Sequence, residues 1–137
     1  MITLAQSLLA ASAAIILVLG VIHLAYTFTG TKLHPRDRAL ATGMQDSSLM
    51  ISRETTMWKA WIGFNASHSF GAMLFGLVYG YLAIAQAAVL FASPFLLTVG
   101  GILLAGYVFL GKVYWFSVPY RGIVAAAALY VAALVVM

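Results

Sequence analysis

Two histidines could do chemistry inside an otherwise apolar chain: His23, and His68 within the run Asn65-Ala66-Ser67-His68-Ser69. A neutral imidazole can ligate a metal, pass a proton or hold a polar ligand. Polar groups at membrane depth are costly unless paired, so this run needs partners. Spaced as helix neighbours, Asn65, His68 and Ser69 share one face. That face continues as Ala72, Gly76 and Gly80, a small-residue stripe that should meet another helix. An earlier apolar segment answers with Ala13, Gly20 and His23 on one of its faces. At ~1.5 Å per residue the depths of His23 and His68 differ by only a few ångströms, so the two rings could face each other. The candidate ligand-binding residues are therefore His23, Asn65, Ser67, His68 and Ser69, and the candidate helix-packing residues are Gly20, Ala72, Gly76 and Gly80.

Three chemistries compete for this pair. Each histidine could be a neutral polar residue bonded to Asn65, Ser67, Ser69 or a carbonyl, fixing helix register. Two imidazoles on facing helices could hold a haem, with Lys59 and Arg53 near its propionates, although the Gly/Ala stripe favours close helix contact over a macrocycle. The site could also take a quinone or a lipid headgroup. Zinc catalysis wants three protein ligands, and no Cys, Asp or Glu is available at depth, so no metal site is expected. Ser67 and Ser69 flank His68, but neighbours on a helix point about 100° apart and no acid orients the histidine. No catalytic set emerges.

The elements that must position these residues are membrane spans. Of 137 residues, 64% are hydrophobic and 7% charged, outside the range of soluble domains. A span needs roughly 20 apolar residues, and four segments qualify: about 7–28, 57–86, 94–112 and 119–137. They lack the alternating pattern of a β-barrel. The expected fold is an all-α integral membrane bundle of four transmembrane helices, forming a single domain over residues 1–137. All ten charged side chains fall in two stretches, Lys32–Lys59 and Lys112–Arg121. Because Lys and Arg mark the cytoplasmic side, the first and third connections are expected inside and both termini outside. The start of the chain lacks the basic leader of a signal peptide, so the first span is expected to be retained. No ionisable residue lies deep in a span, so an ion-coupled transport path has no parts. A channel built by self-association would have only scattered polar residues such as Gln6, Ser12, Gln86 and Thr98. The basic residues are too few for nucleic-acid binding, and no cysteine offers disulfide or thiolate chemistry.

The one long connection, 29–56, is broken at His34-Pro35 and Gly43. Leu40, Met44 and Ile51 recur at helical spacing opposite Arg36, Asp37, Arg38 and Gln45, which predicts a short amphipathic helix on the cytoplasmic membrane face. Ser52-Arg53-Glu54-Thr55 reads as the start of the second span, with the serine as cap. Ser93-Pro94 and Ser117-Val118-Pro119 read likewise for the third and fourth. Trp58, Trp61, Tyr114, Trp115 and Tyr120 form the expected inner aromatic belt, and His34 is expected in solvent.

The stretch from Arg53 to Ser69, with Gly20-x-x-His23-Leu24 and Tyr114-Trp115-Phe116-Ser117-Val118-Pro119, resembles a family of small, uncharacterised bacterial four-helix membrane proteins. The resemblance covers most of the chain and implies a four-span fold in a bacterial inner membrane. It carries no established activity or cofactor. The function expected from all of this is a non-catalytic small subunit that packs against and stabilises a larger membrane complex, in contact with lipid and with other subunits or copies of itself. The alternative is an autonomous binder of a hydrophobic cofactor or lipid at the polar site between the first two spans.

Overall fold

The computed structural model describes residues 2–137. Along the chain run α1 (Leu4–Phe28), α2 (Arg38–Asp46), β1 (Ser48–Leu49), β2 (Ser52–Thr56), α3 (Met57–Ala85), α4 (Ala87–Phe91), α5 (Pro94–Tyr114) and α6 (Ser117–Val136). Four of these helices, α1, α3, α5 and α6, are long and apolar enough to cross a membrane, and the chain is a multi-pass membrane protein. Residues fall into two compact units, one holding the chain up to Leu19 with Ala72–Met137, the other Gly20–Gly71. Helices α1 and α3 contribute residues to both.

In the first unit a side chain from one helix bonds a backbone carbonyl of the next, all the way round. Gln6 of α1 donates to Ala83 O of α3 at 3.1 Å, and Tyr79 of α3 to Leu96 O of α5 at 2.6 Å. Tyr130 of α6 donates to Leu97 O of α5 at 2.8 Å, and Ser12 of α1 to Ala126 O of α6 at 2.7 Å. Gln6 and Ser12, scattered polar residues when read along the chain, are thus inter-helix ties. Between them lies a core of Leu9, Ala13, Ile16, Phe75, Tyr79, Leu104, Tyr107, Ile123 and Tyr130. Gly100 lets two aromatic side chains pass close to α5. A Cβ there would sit 2.6 Å from the Tyr130 hydroxyl oxygen and 2.7 Å from Tyr79 Cε1.

The second unit holds the C-terminal end of α1, the long connection and the first half of α3. Helix α1 ends where Gly30 takes a positive φ of 72°, a left-handed turn that a glycine adopts without strain. The amphipathic helix of the connection is α2, capped by Asp37, whose side chain accepts from Ala39 N–H at 2.8 Å. Ile51, expected on that helix, lies instead in the turn of a β-hairpin, β1–β2, that sequence reasoning missed. The start of α3 shifts accordingly. Ser52–Thr55 are strand residues and cap nothing; the cap is Thr56, whose Oγ1 accepts from Lys59 N–H at 3.3 Å. Extended backbone suits the β-branched pair Thr55-Thr56.

Ser93 caps α5 as expected, accepting from Leu96 N–H, with Pro94 in the first turn. Helix α6 does not follow the expected pattern. Its cap is Phe116, which makes no side-chain bond, and Ser117 is already helical. Proline at the third helical position still lacks only an N–H that would have no intrahelical partner.

Candidate functional site

The polar cluster forms within the second unit, where the chemistry of each residue can be followed outward from Asn65. Its Nδ2 donates to Trp61 O one turn back, at 2.8 Å. That fixes the other amide atom, Oδ1, as an acceptor, and it lies 2.9 Å from His23 Nε2. His23 therefore carries its proton on Nε2 and donates to Asn65. The His68 ring meets the His23 ring edge to face, with centroids 5.4 Å apart and planes at 86°.

The five candidate ligand residues do not all join. His23, Asn65 and His68 come together. Ser69 is fully buried, and its hydroxyl donates to Asn65 O at 2.9 Å. Ser67 is exposed on another face of α3 and donates to Phe64 O of its own helix. Of the packing residues, Gly20 and Ala72 are buried. Gly76 presses on α1, where an added Cβ would lie 2.5 Å from Leu17 Cβ and 2.8 Å from Ala13 O; at Gly80 the nearest atom, Ala13 Cβ, is 3.7 Å away. The GxxxG pair thus contains one obligatory glycine and one that is merely small.

Residues that sequence reasoning left out extend the cluster. Thr27 is buried and donates to His23 O at 2.8 Å. Trp61 Nε1–H donates to Leu33 O at 3.1 Å. His34 is exposed, as expected, and meets the Trp58 ring edge-on, with centroids 4.7 Å apart. Lys32 Nζ lies 4.0 Å over the Tyr26 ring centroid and donates to its hydroxyl at 2.9 Å. Thr27 stands four residues beyond His23, a spacing visible in the sequence. The carbonyls of Leu33 and Trp61 leave no mark in residue type. Of the expected belt, Trp58 and Trp61 contact the connection, and Trp61 and Tyr114 are both exposed. Trp115 packs on Tyr107, and Tyr120 lies against Gly111.

These contacts run as one chain of bonds from Leu33 through Trp61 and Asn65 to His23, and on to the His68 ring. Haem would need both rings to aim a free nitrogen at a point between them, with a macrocycle filling the gap. Here the rings touch edge to face and His23 Nε2 is engaged by Asn65, so the side chains as they stand do not fit that group. No family model, curated protein or solved structure matches this chain.

Proposed function

We propose that this chain is a small, non-catalytic subunit that packs against and orders a larger complex in a bacterial cytoplasmic membrane. The observation that carries this reading is that the polar residues at membrane depth are engaged with the protein itself. Asn65 uses both ends of its amide, His23 uses Nε2, and Ser69 uses its hydroxyl. Among the described residues, no buried side-chain nitrogen or oxygen lacks a partner. A binder of polar cofactor groups would instead present unmet donors or acceptors, because those are what give a site its specificity. The cluster serves to lock helix register.

The partner-facing surface would be the outer side of α5. Gly106 is exposed with nothing near its Cβ position, between the exposed Ile102 and Phe109 of the same helix face. A small residue between large ones admits a neighbouring transmembrane helix. The distribution of Lys and Arg supports an orientation with both termini on the outer side, and the bacterial setting rests on the family resemblance. The test is purification of the tagged chain from native membranes in mild detergent. A stoichiometric membrane partner is expected, released by Gly106→Leu. A chain that elutes alone from wild-type membranes would overturn the subunit reading in favour of an autonomous binder.

A further inference from the structure

The connection between α1 and α3 is held at the level of the first turns of α3 by three separate contacts. Ser47, just past α2, accepts from Met57 N–H at 2.9 Å, so α2 ends where α3 begins. Trp61 holds Leu33 by its carbonyl, and Trp58 meets His34 edge to face. A loop fastened to the first turns of a membrane-crossing helix lies at the membrane–water boundary, where tryptophan itself is favoured.

What this loop displays is unlike an aqueous loop. The hairpin turns on Met50 and Ile51, which are 105% and 91% exposed, where turns ordinarily carry Gly, Asn, Asp or Ser. Helix α2 buries none of its residues, and Leu40 is 55% exposed. The turn is at most five residues of β2 from Met57, roughly 17 Å at ~3.3 Å per residue. Around these apolar tips the unit carries Lys32, Arg36, Arg38, Arg53 and Lys59 against Asp37, Asp46 and Glu54, and Asp37 is occupied as the cap of α2. The balance is basic.

We propose that α2 and the tip of the β1–β2 hairpin form an anionic-lipid recognition surface. Leu40, Met50 and Ile51 enter the headgroup–acyl boundary while Arg38 and Arg53 engage lipid phosphates. This is the physics of an interfacial amphipathic element, apolar insertion assisted by charge, delivered here by a hairpin as well as a helix. It stands independently of the subunit reading.

The chain has no cysteine, so Met50→Cys accepts a single environment-sensitive fluorophore at a site with no packing to disturb. The labelled full chain is placed in vesicles of phosphatidylcholine alone, or of equal parts phosphatidylcholine and phosphatidylglycerol, at high lipid excess. In the mixed vesicles the label should emit to the blue, be quenched by spin-labelled lipid and be shielded from aqueous iodide. Arg38→Gln and Arg53→Gln, both at exposed positions, should each lower the ratio of shielded to exposed label about fivefold, while Gln45→Cys label stays open to iodide. A Met50 label freely quenched by iodide in both vesicles overturns the proposal. So does a label shielded from both quenchers, which would mean that protein covers the tip. Equal shielding in the two lipid compositions overturns the anionic preference.

Discussion

Asn65 ties α1 to α3 with the two polar atoms of one side-chain amide, Oδ1 to His23 and Nδ2 to Trp61 O. Replacing it by Ala leaves His23 Nε2–H without its partner and takes from Trp61 O its side-chain donor, while that carbonyl keeps its place in the α3 ladder. Such losses cost about 1–3 kcal/mol in buried sites, and transmembrane hydrogen bonds average nearer ~0.6 kcal/mol, so Asn65→Ala should lower stability by about 1 kcal/mol. Ser67→Ala, on an exposed face with a bond only to its own helix, should stay within ~0.5 kcal/mol of wild type. Thermal unfolding in detergent, followed by tryptophan emission, separates the two. Were Ser67 the more sensitive, the bond network described above would not be what stabilises this unit. The meeting of His23, Asn65 and His68 was legible in the sequence, because helical spacing and depth together leave few partners for a buried polar residue. The roles of Leu33 and Trp61 were not, since a carbonyl acceptor is common to every residue.

Among the elements, the stripe on α3 divides sharply. Gly76→Ala drives a methyl into Leu17 and the Ala13 carbonyl, an overpacking that costs about 1–3 kcal/mol. Gly80→Ala meets only ordinary contact and should gain up to about 1 kcal/mol from helix propensity. Equal effects at the two positions in the same unfolding assay would contradict the asymmetry. Thr56→Ala removes the cap of α3 and should cost about 1 kcal/mol, whereas Ser52→Ala, in the strand, should not weaken the helix. Circular dichroism melts of both variants check this. The sequence misled at this point for a physical reason. Ser52-x-Glu54 satisfies the chemistry of a helix start, and only the β-branched Thr55-Thr56 pair argued for extended backbone. A hairpin of two and five residues is too short for alternation to announce itself.

For the whole molecule, the clean segregation of charge made four apolar helices readable from composition alone, because hydrocarbon tolerates nothing else over such lengths. Sidedness is the matching prediction. With no native thiol, Met137→Cys should react with a membrane-impermeant maleimide from the outer side of intact cells, and Gln45→Cys only after permeabilisation. The reverse pattern would invert the orientation that the Lys and Arg residues imply.

The passage of Tyr79 and Tyr130 beside Gly100 has a consequence for how such a chain can diverge. Either tyrosine can be lost singly, since the carbonyls of Leu96 and Leu97 retain their place in the α5 ladder. Gly100 cannot gain a methyl while either ring remains in place, because it would overlap atoms of each. The three positions therefore admit change in one order only, rings first and glycine last. Their covariation across descendants would be directional, and a triple-mutant cycle should show Gly100→Ala shifting from harmful to neutral once both rings have shrunk.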